Sequence, residues 1–220
     1  VELSEEEIKE AQRLEAKRKA KQKEVLDSKD KLFGAALADL DLAGLDLQNA
    51  NLAKANLSHT NLSETNLSNA NLIEVDLTGA DLSKADLHDA YSPDAQWVAV
   101  NLSGADLRWV DFSWAVLSEA NFTEANLLEV DFTEATLVAS DFTRANLSGV
   151  NFNNANLIDA RLTGADLSKT LNLSPEQVES AELDRATQLP PYLEIEWKGK
   201  GEYEVRKKIE KKTKRKKNQK

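Results

Sequence analysis

Between Leu32 and Leu167 every fifth residue falls in one register, and the 28 positions of that register carry Leu or Phe with two exceptions, Ser92 and Trp97. A period of five matches neither the alternation of a strand nor the 3.6-residue turn of a helix. The flanking positions keep the same step. Two places before each large apolar centre stands a small residue, as at Ala50, Ala55, Thr60, Thr65, Ala70 and Val75. The place just before the centre is mostly Asn or Asp, as at Asn51, Asn56, Asn61, Asn66, Asn71 and Asp76. Ser or Thr often follows the centre. The next place is mostly polar and holds every glycine of the tract, from Gly34 to Gly164. So many Asn, Asp, Ser and Thr side chains would compete with the backbone hydrogen bonds of a helix.

Two inward positions per five residues, one large and one small, fit a chain that turns a corner every pentapeptide, so that four pentapeptides close a square coil. If the turn begins at the central residue, its third position is where a type II turn needs positive φ, and Gly or Asn recurs there, as at Gly79, Gly104, Asn49, Asn69 and Asn154. Pro93 falls at the second position of its turn, where a fixed φ is welcome.

Strings such as ANLSHTNLSETNLSNANL and GADLSKADL resemble the pentapeptide-repeat proteins, with their A(D/N)LxX pattern, over about 140 residues. The resemblance implies an all-β solenoid, a right-handed quadrilateral parallel β-helix whose centres stack in four columns. The repeats would make about seven coils, a rod ~34 Å long at the ~4.8 Å spacing of paired strands.

The ends of such a rod need covers, because stability comes from neighbour-to-neighbour stacking and open edges invite further pairing. Residues 1–31 are expected to form a charged α-helix. Ser4 and Glu7 make a capping box and Leu3 with Ile8 a staple around it, but the apolar side is thin, so only the C-terminal part should cover the first coil. The repeat body is assigned to residues 32–170 and a C-terminal helical cap to 171–191, with Ser174 capping a short helix that has Pro175 in its first turn. Residues 192–220 read as a strand-like stretch to 204 and then a basic run, VRKKIEKKTKRKKNQK, expected to be frayed helix or disordered.

The centres are Leu through Leu87, whereas Phe112, Phe122, Phe132, Phe142 and Phe152 recur every ten residues. Ten residues is half a coil, which predicts two Phe ladders on opposite faces. Ser92 and Trp97 lie at the junction of the two packings, where a small and a bulky centre compensate in volume.

Charge is unevenly spread. Residues 32–197 carry 26 acidic against 7 basic residues, and residues 198–220 carry 12 basic against 3 acidic. The absence of cysteine excludes disulfides and thiolate metal sites. Nothing approaches the ~20 apolar residues of a membrane span. The expected compartment is the cytoplasm, with export to a periplasm or thylakoid lumen as the alternative if an upstream signal was removed.

No catalytic, cofactor or metal site is expected. His59 and His88 occupy outward corners, no nucleophile motif is present, and the glycines sit in separate corners rather than in a phosphate-binding loop. Asp86 with Asp106, and Asp111 with Asp131, would lie one coil apart, roughly 5 Å. They read as solvated motif residues rather than cation ligands. Trp109 and Trp114 are the sharper signal, on consecutive outward corners, with Arg108 beside them and Tyr91 breaking the Asn/Asp rule one coil earlier. Trp and Arg are enriched in binding hot spots. These four residues are either a protein-binding site, exposed surface, or ground covered by a terminal segment folding back.

The function expected is therefore a non-catalytic scaffold that binds an unidentified protein partner. The resemblance also brings members that protect or inhibit DNA gyrase by imitating duplex DNA, and a cyanobacterial origin. For the basic tail a solvated state is expected. Contact with nucleic acid, an anionic membrane or the acidic rod itself is the less favoured reading.

Overall fold

The computed structural model describes residues 4–199 and 202–208. Parallel bridges join residues twenty apart, Ala36 to Asn56 and onward to Asn151 with Leu171, so the body is a β-helix with four five-residue sides per coil. The pentapeptide Asp111–Ala115 shows how the backbone is satisfied. The Asp111 amide donates to Ala90 one coil back, while those of Phe112 and Trp114 donate to Asp131 and Thr133 one coil on. The Ala115 amide closes the turn on the Phe112 carbonyl at 3.1 Å. The remaining amide, of Ser113, donates to Asp111 Oδ1 at 2.8 Å. The same side-chain cap recurs at Asn56, Asp76 and Asn121. Asn and Asp therefore precede the centre because their side chains take the one amide that the coil leaves free.

The third turn position has positive φ in nearly every corner, and not at Gly and Asn alone. Lys54, Glu64, Glu119 and Arg144 adopt it with φ between 58° and 61°. Inter-coil pairing imposes the left-handed conformation, and the local preference for Gly is overridden.

The centres are fully buried from Leu42 to Leu137. The two Phe ladders form as the spacing predicts: Phe112 stacks on Phe132 at 5.6 Å, Phe132 on Phe152 at 5.7 Å, and Phe122 on Phe142 at 4.9 Å. The ladders also meet edge to face, Phe122 with Phe132 at 5.7 Å, which is the favoured geometry for facing rings. At the junction Trp97 donates its indole N–H to Ser92 Oγ at 2.9 Å and sets its ring edge-on to Phe112 at 5.1 Å. Ser92 thus supplies both room and an acceptor.

Helix α1, Glu5–Asp27, carries the expected capping box and is followed by a 3-10 turn, Lys29–Lys31. Leu3, the expected staple partner, lies outside the described residues. Of α1 only Val25 is buried. Gln22 donates to the Asp41 carbonyl and Arg18 pairs with Asp41 at 2.9 Å, so the C-terminal half of the helix is tied to the first coil while Ile8 and Leu14 stay exposed.

At the other end helix α2, Pro175–Glu179, has a capping box from Ser174 and Gln177. Gln177 then reaches the carbonyls of Phe152 and Ala155, both at 2.7 Å. Glu182 and Gln188 still bridge Arg161 and Asp166, so the cap continues the coil irregularly around an inserted helix. Strands β1, Leu193–Gly199, and β2, Glu202–Lys207, form an antiparallel hairpin. The sequence reading placed Val205, Arg206 and Lys207 in the charge run. They are strand instead, because Val205 is buried against the cap and its amide donates to Glu179. The rest of the run, 209–220, lies outside the described residues. No helix among the described residues is long and apolar enough to cross a membrane.

Candidate functional site

Trp109 and Trp114 occupy the left-handed corner positions, φ 61° and 63°, at the two ends of one short side of the coil. Tyr91 lies on the same side one coil earlier and bridges Asn71 and Asp111. The three rings are 44 %, 59 % and 48 % exposed. The inter-coil register dictates this placement, since a side chain at the third turn position points away from the core. The described residues of the terminal hairpin do not cover the rings. They pack on the cap instead, with the Tyr203 hydroxyl donating to the Ala181 carbonyl at 2.5 Å.

Arg108 is not a free cation. Its Nε and Nη2 donate to both oxygens of Asp106 at 2.7–2.9 Å, and its guanidinium lies 5.1 Å from the centre of the Trp109 ring. Burial pushes the Asp106 carboxyl up, but the hydrogen bond from the Arg108 side chain, with its amide and charge, more than offsets this and holds the carboxyl below the usual carboxylate range. The pair fixes the guanidinium against Trp109, leaving Trp114 with open faces.

Consecutive Asp residues do stand in one column, as expected, but their oxygens are already engaged. Asp106 is taken by Arg108, Asp86 by the His88 ring at 2.6 Å, and Asp131 accepts from the Thr133 amide and hydroxyl and from Asn151. Asn ladders relieve the remaining columns, as where Asn101 donates to Asp81 at 2.9 Å and Asn121 to Asn101 at 3.2 Å. Among the described residues no three His, Cys, Asp or Glu side chains gather as a metal site.

Sequence reasoning missed the apolar ground beside this side of the coil. Leu171 is exposed in the Tyr91 column, and with Asn153, Tyr192 and Lys207 it lines a depression of about 580 Å³. Leu171 also borders a second depression of about 390 Å³, shared with Glu129 and Asp131. Leu171 stands at the Asn/Asp position of its pentapeptide, a departure that the register alone could have flagged.

The sequence profile described as pentapeptide repeats matches in eight copies, over residues 31–69, 60–91, 101–137 and 136–171. The chain belongs to the pentapeptide-repeat family. Such proteins form right-handed β-helix solenoids. Among solved structures, QnrB1, a plasmid-mediated fluoroquinolone resistance protein, is similar at 17 % identity, with 74 % of this chain and 88 % of that one covered and a TM-score of 0.56. HetL, a pentapeptide-repeat protein involved in heterocyst differentiation regulation in the cyanobacterium Nostoc, is 24 % identical over 76 % of this chain and 88 % of its own, with a TM-score of 0.32. A pentapeptide-repeat protein from the thylakoid lumen of Arabidopsis thaliana is 26 % identical over 60 % and 68 %, with a TM-score of 0.24. No curated protein matches the chain.

Proposed function

We propose that this protein is a non-catalytic scaffold, a rigid rod of about seven coils that binds a protein partner through the side bearing Tyr91, Arg108, Trp109 and Trp114. One observation carries the reading: two tryptophans stand exposed at consecutive left-handed corners, whereas every other corner from Gly34 to Lys169 carries a charged, polar, Ala or Gly residue. Neither is packed under another described segment, and exposed Trp with Arg beside it is the composition enriched at binding hot spots. Rigidity supports the same conclusion, since a stacked core holds the rings at fixed spacing and spares the ordering entropy that flexible anchors lose on binding. The double variant Trp109→Ala, Trp114→Ala should keep its unfolding midpoint and lose capture of the main partner from a lysate of the source organism. Unchanged capture with unchanged stability would place the interface elsewhere.

A second reading, imitation of duplex DNA toward gyrase, draws on the acidic body. It ranks lower because several acidic rows are broken by cations one coil away, Glu74 by Lys54, Glu64 by Lys84, Glu124 by Arg144 and Asp141 by Arg161. A mimic needs continuous rows of unpaired charge to attract a DNA-binding groove. We expect no inhibition of gyrase supercoiling at micromolar protein. A salt-sensitive block would reverse the ranking.

A further inference from the structure

Helix α1 leaves its first half without cover. Every residue from Ser4 to Leu14 is exposed, whereas Glu15, Lys21 and Gln22 are partly covered and Val25 is buried. A helix in a protein draws most of its stability from packing one face, and the first three turns of α1 pack on nothing among the described residues. Between the helix and the first coil runs an open groove of about 610 Å³. Ala11, Leu14, Lys17 and Lys21 form its helical wall, and Asp39 and Leu40 stand on the coil side.

The charges of α1 are divided along its length. Residues 5–15 hold five acidic and two basic side chains, and residues 16–27 hold five basic and two acidic. On the band that carries Leu14, Lys17 and Lys21 into the groove the division is complete. Glu7, Glu10, Leu14, Lys17 and Lys21 alternate steps of three and four, and at 3.6 residues per turn they fall within about 80° of the helix circumference. The order acid, acid, leucine, base, base is its own complement when reversed. A parallel copy would set like charge on like. An antiparallel copy crossing at Leu14 sets Glu7 and Glu10 of each helix beside Lys21 and Lys17 of the other, with leucine on leucine at the crossing. That is the self-complementary surface of a two-fold contact.

We propose that α1 is a dimerisation element and that the groove beside it receives α1 of a second copy of this chain, running antiparallel. Leu14 and Ala11 of both copies, with Leu40 as the wall, form the apolar centre, and the charged residues around it set the direction. Lys21 reaches Glu24 at 2.8 Å and Glu10 lies 3.7 Å from Arg13, but both are exposed contacts within one helix, worth little and readily exchanged. The contact is separate from the aromatic side. Asp41, which anchors α1, shares its column with Asn101, ten residues or half a coil from Tyr91. Two copies joined in this way therefore keep both sets of indoles open.

Sedimentation equilibrium of the full-length protein should show an apparent mass that climbs from 24.4 kDa toward twice that value as its concentration is raised. Two variants reverse the charge on one half of the band: Glu7→Gln with Glu10→Lys, where glutamine preserves the capping box, and Lys17→Glu with Lys21→Glu. Each should stay monomeric alone, and an equimolar mixture of the two should form a heterodimer. Lys19→Glu with Lys23→Glu makes the same change of charge on the opposite side of the helix and should dimerise as the parent does. Leu14→Asp should abolish the dimer. Helical ellipticity kept in every variant separates loss of pairing from loss of the helix. A parent that stays monomeric at every concentration would overturn the proposal, leaving the helix solvated or open to a different protein. A dimer that survives Leu14→Asp would overturn it by placing the contact elsewhere, and a mixture that fails to pair would overturn the antiparallel order.

Discussion

Restoring the repeat consensus at position 92 should damage the protein. Every other centre in the column of Ser92 is Leu or Phe, and a consensus change in a repeat protein is ordinarily stabilising. Here the volume is already filled by the Trp97 indole, which is fully buried, edge-on to Phe112 and hydrogen-bonded to Ser92 Oγ at 2.9 Å. Ser92→Leu forces added methyl groups against that ring, an overpacking cost of about 1–3 kcal/mol. It also strands a buried indole N–H, at about 1–3 kcal/mol more. The reverse change, Trp97→Leu, opens a void in the core and should cost about 2–4 kcal/mol. The double change Ser92→Leu, Trp97→Leu rebuilds the plain Leu packing of the preceding coils, so it should lie closer to the parent than either single variant, with a coupling of about 3 kcal/mol. Guanidinium unfolding of the four proteins, followed by circular dichroism, measures the cycle. Additive costs within about 0.5 kcal/mol, or a stabilised Ser92→Leu, would refute the reasoning.

Leu127→Asp, at a fully buried centre, should cost about 3–5 kcal/mol, whereas Glu129→Lys at the exposed corner should be near neutral, so equal melting temperatures would contradict the register. The Asp106 carboxyl is held below its ordinary value of 3.8, so its pairing with Arg108 contributes stability that is present above that value and lost as pH falls through the lower folded one. Arg108→Gln should therefore flatten the acid limb of the unfolding midpoint below about pH 4, and an unaltered limb would mean that the pair contributes nothing to folding. Gln177→Leu should lower the midpoint by leaving the Phe152 and Ala155 carbonyls without their side-chain donor, about 1–3 kcal/mol by loss of one buried polar partner, and no change would mean that water replaces it.

The five-residue register was enough to separate inside from outside along the whole repeat tract. Each repeat contacts mainly its neighbours, so a local pattern repeated along the chain specifies its own packing. The Phe ladders follow from the same arithmetic, since ten residues is half a coil. The outward placement of Trp109 and Trp114 was equally legible, being a matter of turn position. Why Asn and Asp precede the centre was not legible, because their hydrogen bond to the amide two residues on becomes evident only once the other four amides of the pentapeptide are accounted for.

What periodicity could not decide lies where the period fails. Trp97 and Ser92 are legible as a volume exchange, but their hydrogen bond depends on how the indole tilts between columns, which is a property of the packed core. The hairpin could be guessed as strand, but its destination on the cap rather than over the indoles was set by the burial of Val205 and the reach of Tyr203 to Ala181. The pairing of acidic corners with cations, Glu74 with Lys54 and Glu124 with Arg144, is invisible along the chain, because it is fixed by residues twenty apart that only coiling brings side by side. A repeating sequence determines the coil, since local contacts dominate its energy. The ends, the junction and the charge map come from non-repeating long-range contacts, and these exist only in the folded rod.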